Sequence, residues 1–376
     1  MSSIYVHLPW CETKCPYCDF NSHQVNDQMS EKRYIDCLLS DLDQDLAKFG
    51  GVRFESVFIG GGTPSLFSGK SISLLLDGIR DRVELKKTGE ITLEANPGSA
   101  DAGRFEDYIK AGVNRISIGV QSFNNRLLKA IGRKHSAEEA ENTIRIAKSV
   151  GFFNFNIDLM FGLPGAQKGD AISDLEHSIE FDPMHISWYQ LTLEEKTAFA
   201  RNPPNLPAHN DVYEEFEIGQ SILLRNGFIQ YEVSAYARNM TKSLHNMNYW
   251  EFGDYLGIGA GAHGKISSGS RIVRTEKISK PESYMRAIEF NGKSGVESEI
   301  DPSLMAGEYM LNALRLKDGF SLNDYLVNTY NTKLDRQFEQ NIELACDKGL
   351  LSREDDWVKP TRLGYRFLND LQVIFI

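Results

Sequence analysis

No stretch of this 376-residue chain stays apolar for the roughly 20 residues that a bilayer span requires, so a membrane-crossing helix is not expected. Met1-Ser2-Ser3-Ile4-Tyr5 has neither the basic start nor the apolar core of a secretory signal, which makes the cytoplasm the expected compartment. Cysteine is scarce and odd in number, five residues, and that argues against a disulfide framework. Basic residues are also in deficit, 41 against 52 acidic ones, and a net charge of −11 offers no general basic surface for nucleic acid. No nucleic-acid partner is expected. What is present is an ordinary globular composition, 41% hydrophobic and 25% charged, enough for a sizeable core in one large domain with an appendage or in two domains.

Three of the five cysteines cluster. Cys11, Cys15 and Cys18 stand in a C-x3-C-x2-C spacing directly after an alternating, strand-like run over 4–8, with Pro16 stiffening the turn between them. Three thiolates in so short a loop can converge on one metal centre. Zinc is one candidate, with His23 as a fourth ligand, although structural zinc usually takes two separated ligand pairs. A four-iron cubane is the other, and three cysteines leave one of its irons open to a further ligand. The compact triple favours the cluster. Cys37 and Cys346 lie in helix-like apolar patterns and read as core.

The rest of the chain alternates two periodicities. Strands are expected over 4–8, 56–59, 90–95, 115–120, 153–159 and 185–193, separated by helical patterns. The first helix, over 30–49, is closed by Gly50-Gly51, and Ser136 with Glu139 forms a capping box for another. Six strands alternating with helices imply parallel βαβ units and an open or closed barrel. The alternation breaks at Asn202-Pro203-Pro204-Asn205-Leu206-Pro207. The segments over 231–236 and 245–250, and the glycine-rich 253–264, then read as short strands and loops. Helical patterns and a short β-like segment near Trp357 resemble a small winged-helix-like module, a cap over the main domain.

Barrels of this kind carry their chemistry at the C-terminal ends of the strands. Those ends fall at the cysteine loop, at Gly60-Gly61-Gly62-Thr63, at Glu94, at Gln121, at Asp158 and at Gln190 with Thr192. Triple glycine offers bare backbone that the amino and carboxylate groups of an amino-acid-like ligand could approach. Carboxylates closing apolar runs are costly to bury without a ligand or partner. Tyr17, between two cysteines, is placed to pack on something planar or to join the core.

Together, Tyr5-Val6-His7-Leu8-Pro9-Trp10-Cys11 with its cysteine triple, Gly-Gly-Gly-Thr-Pro, Glu94-Ala95-Asn96-Pro97, Gly119-Val120-Gln121-Ser122-Phe123 and Asp158-Leu159-Met160-Phe161-Gly162-Leu163-Pro164 resemble the radical S-adenosylmethionine (SAM) superfamily. Within it they are similar to the HemN-like group, that of oxygen-independent coproporphyrinogen III dehydrogenase. The resemblance implies an α/β fold: a partial (β/α)6 TIM-like barrel over 1–235, an α+β region of irregular strands and loops over 236–300, and a C-terminal helical, winged-helix-like module over 301–376. It implies a [4Fe-4S] cluster on Cys11, Cys15 and Cys18, with SAM chelating the open iron. Tyr5, Gly61 and Glu94 would surround one SAM; Tyr17, Gly62, Thr63, Gln121, Arg133 and Asp158 would belong to the wider SAM pocket, which holds a second SAM in the dehydrogenase.

Two departures separate the chain from the dehydrogenase: Phe20 stands where a fourth cysteine is expected, and the first ligand is already residue 11, without a longer arm. Both features are similar to the heme chaperones of the group, as is the H-N-x-x-Y-W signature in Leu244-His245-Asn246-Met247-Asn248-Tyr249-Trp250. That resemblance implies heme as a ligand, with His245 associated with its binding and Tyr249 and Trp250 as flat apolar surface; His263 is a second candidate ligand. It implies apo-hemoprotein recipients, membrane-associated ones among them and so a peripheral membrane location, and allows a homodimer. The expected function is heme transfer without turnover, with no catalytic residue assigned. Coproporphyrinogen decarboxylation is the alternative, and a zinc-stabilised scaffold the third reading.

Overall fold

The computed structural model describes residues 2–25, 29–50, 53–99 and 101–376. Six strands, β1 (Ser2–Leu8), β2 (Arg53–Gly61), β3 (Glu84–Ala95), β4 (Arg115–Gln121), β5 (Phe155–Phe161) and β6 (His185–Gln190), pair in parallel and in chain order. The connecting helices are α1 (Glu31–Phe49), α2 (Gly69–Arg80), α3 (Ala102–Ala111), α4 (Ala137–Val150) and α5 (Asp170–Glu180), and α6 (His209–Arg225) follows β6. The Ser136–Glu139 capping box opens α4 as expected. Gly50 closes α1 with φ +82°; Gly51 lies outside the described residues. The fifth strand begins at Phe155 rather than 153, because Phe153 points to solvent, 80% exposed.

The strands' period of two sorts residues onto two unlike faces. Ile4, Val6 and Leu8 of β1, Val57 and Ile59 of β2, Ile91 and Leu93 of β3 and Ile116 and Ile118 of β4 are buried in one cluster with helix residues such as Leu38, Leu42, Leu75, Leu76 and Tyr108. The opposite, concave face carries the intervening residues and is largely polar: Ser56 donates to Ser3 (2.9 Å), Ser117 to Asp158 (2.9 Å), and His185 Nδ1 meets Asn156 Oδ1 (2.6 Å). A parallel sheet normally buries apolar residues on both faces. Here one face is reserved for other contacts.

The region after 235 departs from expectation. The strands β7 (Ala235–Ala237), β8 (Asp254–Ile258), β9 (His263–Ser268), β10 (Arg271–Lys277) and β11 (Gly295–Glu299) belong to the same twelve-stranded sheet. β7 pairs antiparallel with β6, whereas β8 pairs parallel with β1 at the other end. Hydrogen bonding therefore runs across the expected boundary near 235. The glycine-rich stretch disguised this, because Gly257 and Gly264 serve strand contact, while Gly259 and Gly261, with positive φ, make the turn between β8 and β9. A Cβ on Gly257 would lie 1.9 Å from the His263 carbonyl oxygen, and one on Gly264 2.5 Å from Thr275 Oγ1.

The H-N-x-x-Y-W segment is also corrected: it forms a short helix, α7 (Leu244–Trp250), N-capped by Ser243, and not a strand or loop. Seven residues are too few to display a helical period. α7 lies on the polar concave face, where Glu90 of β3 accepts hydrogen bonds from Ser243 Oγ, Leu244 N and His245 N at 3.2–3.3 Å and faces Arg115 of β4 at 3.9 Å.

On the convex side, α8 (Pro281–Asn291) packs against α1. Lys277 of β10 donates to Asp41 (2.7 Å) and Asp45 (2.9 Å) of α1 and to Ser294 (3.0 Å), while Tyr284 of α8 donates to Asp41 (2.7 Å), all buried. The C-terminal module has its own apolar core, with Met310, Leu314, Tyr325, Phe338, Ile342 and Val358 around helix α9 (Met305–Ala313) and a three-stranded sheet of Phe320–Ser321, Trp357–Pro360 and Leu351–Glu354.

Candidate functional site

The cysteine loop is clamped at several points over the C-terminal ends of the strands. Trp10–Cys11 pairs in parallel with His23–Gln24, which closes its base. Cys18 N donates to Cys15 O (3.1 Å), and Phe199 N to Pro16 O (3.0 Å). Asn21 Nδ2 donates to the Ala260 and Ser279 carbonyls, both at 2.8 Å. Pro16 packs on Gly132, where a Cβ would lie 2.6 Å from Pro16 Cδ and where φ is +72°. Only glycine suits that position on both counts.

A cavity of about 480 Å³ opens beneath the loop. Cys11, Cys15 and Cys18 all line it, as free thiols. Thr63 Oγ1 donates to Cys11 Sγ (3.3 Å) and Arg133 Nη1 to Cys15 Sγ (3.9 Å). Burial pushes the Cys11 and Cys18 thiols up, and neighbouring thiols add to the effect. Three thiols facing one cavity, with hydroxyl and guanidinium donors behind them, suit a cluster held at three corners. The candidate fourth ligand for zinc, His23, is not among the residues that line the cavity, and its Nε2 is engaged with Asn21 Oδ1 (3.1 Å) and the Ser279 carbonyl (3.2 Å). Cys37 is buried in the main core, and Cys346 packs against the C-terminal one.

Gly61, Gly62, Thr63, Glu94, Gln121, Arg133, Asp158 and Tyr17 line the same cavity. The glycines are demanded by protein neighbours. A Cβ on Gly61 (φ +115°) would lie 2.7 Å from the His7 ring, and one on Gly62 2.5 Å from the Trp10 carbonyl oxygen. Glu94 accepts from Gly61 N (3.2 Å), and burial, with Asp158 nearby, pushes its carboxyl up to about 8. Asp158 accepts from Ser117 and Asn156 (2.9 and 2.7 Å), and burial raises its carboxyl too. Arg133 donates to the Gly119 carbonyl (2.6 Å) and to Asn96.

Gln121 is held in a left-handed conformation, φ 67°, beside a register shift in β4. Such a non-glycine residue persists only when its surroundings over-determine it. Here Asp174 of α5 accepts from Ser122 Oγ (2.5 Å) and Phe123 N (2.8 Å), and Tyr189 OH donates to Gln121 Oε1 (2.8 Å). Asp174→Ala should therefore release this turn and weaken ligand binding in the cavity several-fold, with a stability loss of about 1–3 kcal/mol from the orphaned donors. Calorimetric binding and urea unfolding of the same variant check both.

Two expected residues fall elsewhere. Tyr5 lies behind the cavity wall, its hydroxyl on His7 Nδ1 (2.9 Å). His245 is 1% exposed, stacked on Phe58 at 4.9 Å, with Nδ1 on Ser56 Oγ (3.2 Å) and Nε2 on Tyr249 OH (2.9 Å). Both imidazole nitrogens are engaged, and burial, with Arg115 beside it, lowers its pKa to about 3. The imidazole that the resemblance associates with heme binding is thus sequestered in this structure; Asn246 and Trp250 are the motif residues at the cavity. His263 is exposed and lines a different cavity, with Tyr255 and Arg274. Sequence reasoning missed Asn96, Ser117, Ser187 and Tyr189, all at the cavity. Three of them follow from parity, since Ser117 lies four residues before Gln121 on one strand, and Ser187 and Tyr189 lie two apart on another.

An open parallel half-barrel with a three-cysteine loop over its strand ends defines a radical SAM protein, and the family model for the radical SAM superfamily matches residues 5–177. As in that superfamily, the cofactors are a [4Fe-4S] cluster and SAM. The chain belongs to the HemW family within it. It is 43% identical over 375 residues to "Heme chaperone HemW" of Escherichia coli, covering 100% of this chain and 98% of the relative. It is 42% identical over 379 residues to "Heme chaperone HemW" of Haemophilus influenzae, covering 100% and 97%. The solved coproporphyrinogen III oxidase HemN of Escherichia coli superposes with a TM-score of 0.83 at 20% identity, covering 100% of this chain and 89% of that one, a likeness of fold.

Proposed function

We propose that the chain is a heme chaperone that carries its cluster on Cys11, Cys15 and Cys18, binds SAM in the cavity beside it and passes heme to apo-hemoproteins. The observation that supports this is a single cavity lined by the three cysteines and by Asn246 and Trp250 of the H-N-x-x-Y-W helix. When bound, the cluster supplies an iron with an open coordination position for the amino and carboxylate groups of SAM. Thr63 and Arg133 orient two of the thiolates; Glu94, Asp158 and Gln121 are the polar wall, and Tyr17 the flat one. Phe20, at the mouth and 59% exposed, gives the loop an apolar lip where the dehydrogenase has a fourth thiol. The reading extends to recipients at a membrane surface and to a homodimer; among the described residues no helix is long and apolar enough to cross a membrane. Anaerobic reconstitution with iron and sulfide, followed by hemin binding, hemin transfer and coproporphyrinogen decarboxylation on one sample, tests the whole. Transfer without decarboxylation supports it, and decarboxylation without transfer overturns it.

On this reading Glu94 is neutral in much of the free protein at pH 7, so Glu94→Gln should cost little stability there while weakening SAM binding about tenfold, the loss of one charge-assisted contact. The pH dependence has a definite sign. A carboxyl raised to about 8 keeps its proton in the folded state, so its contribution to stability falls as pH rises from about 4.5 to 8. Glu94→Gln should accordingly gain thermal stability relative to wild type across that window. A constant difference in Tm from pH 5 to 9 would contradict this.

His245 enters this scheme as a ligand that becomes available only when α7 swings away from Ser56 and Phe58. Tyr249→Phe removes the partner of Nε2, and stopped-flow mixing with hemin should then show the nitrogen-ligated Soret band forming several-fold faster than in wild type. Equal rates would leave His245 a structural residue.

A further inference from the structure

One end of the cavity carries two N–H donors with no hydrogen-bond partner among the described residues. Arg315, just beyond α9, stacks its guanidinium over the Trp250 ring at 4.3 Å and places Nη2 3.5 Å from Glu232 Oε2. Arg315 Nε and Trp250 Nε1 are buried with no hydrogen-bond partner among the described residues, and Glu232 Oε2 has only the Arg315 ion pair. All three residues line the cavity, and Glu232 is 4% exposed. They come from three distant segments, and the join is fixed: Glu232 bridges to Leu316, and Lys317 N donates to the Tyr231 carbonyl (3.0 Å). Buried polar groups are rarely left unpaired, and such a cluster marks a place where something else binds.

Two of the three atoms are N–H donors, one of them on a cation, and that set calls for an anionic acceptor. We propose that Arg315 and Trp250 form a subsite for a carboxylate on the cargo, a propionate arm of the tetrapyrrole. The inference rests on the heme-chaperone reading and adds an orientation to it. Glu94 and Asp158 elsewhere in the cavity offer a carboxylate no cation, whereas Arg315 does, so the propionate points to Arg315. The Trp250 ring supplies a flat apolar surface beside the subsite. Burial raises the Glu232 carboxyl while the Arg315 guanidinium beside it acts the other way, so an incoming carboxylate shares Arg315 with Glu232.

The test compares hemin with hemin dimethyl ester, whose propionates carry no charge, so that wild type itself gives an answer without any variant. Wild type should bind hemin about tenfold more tightly than the ester, the effect of one charge-assisted contact. Arg315→Gln should bind both at the affinity of the ester, and Trp250→Phe, which keeps a ring but loses the N–H, should show an intermediate preference. Equal binding of hemin and ester by wild type, or an undiminished preference in Arg315→Gln, overturns the subsite and leaves the chaperone reading standing. Failure of wild type to bind either form removes both.

Discussion

Cys15→Ala is expected to abolish the iron-sulfur chromophore of the reconstituted protein. Cys15 is one of three thiols that the loop brings to the cavity, and a cubane already short of one protein ligand cannot spare a second. The effect should be close to complete in iron and acid-labile sulfide, and equally so for Cys11→Ala and Cys18→Ala. Cys37→Ala, in the main core, should retain the full content while losing about 1 kcal/mol of stability for a buried sulfur. Wild-type iron and sulfide content in Cys15→Ala would remove the cluster from these residues. Circular dichroism of the apo forms separates loss of ligand from loss of fold, because the loop is held mainly by backbone and Asn21 bonds that the substitution leaves in place.

The largest stability effect is expected at Lys277, far from the cavity. Lys277→Met leaves Asp41 and Asp45 buried together with no cation between them, and breaking a buried ion pair by removing one partner costs about 3–5 kcal/mol. Urea unfolding should show that loss in the midpoint. Burial already raises the Asp45 carboxyl to about 6. A folded-state carboxyl raised above its unfolded value contributes stability at low pH that is lost as pH rises through the folded value. The variant should therefore lose less against wild type at pH 5 than at pH 8. A deficit that does not change with pH would mean that the aspartates keep their charge by another route.

The barrel strands were legible because all but β2, whose Val57-Phe58-Ile59 is a continuous apolar run, alternate apolar and polar residues between glycine or helix signals, so that even the polar concave face shows as a period of two. The strand-end rule then reached Glu94 and Gln121 with no knowledge of the sheet's curvature, and it reached Asp158 although that residue falls in the middle of β5, which runs on to Phe161. Residues 244–250 were not legible. Their helix is fixed by Glu90, some 150 positions earlier in the chain, and by burial against Phe58 and Ser56, contacts no local window contains. The same is true of His245, whose motif associates it with heme binding and whose tertiary partners enclose it. Arg315 lay wholly out of reach, since its neighbours Trp250 and Glu232 come together only when the C-terminal module docks.

The central place of the first strand sets a timetable for synthesis. β1 is hydrogen-bonded on one side to β2, but its other side waits for β8, with Ser2 opposite Asp254. At roughly 5–20 residues per second, some tens of seconds separate the two strands at the ribosome. For that interval one edge of β1 is an unpaired template, and its neighbours Ile4, Val6 and Leu8 are short of their final packing. The cysteine loop follows β1 immediately, yet its Asn21 anchors are the carbonyls of Ala260 and Ser279. These two anchors of the thiol loop thus form only after the region around 260–279 has been made, whereas the pairing of Trp10–Cys11 with His23–Gln24 needs nothing beyond the first 25 residues.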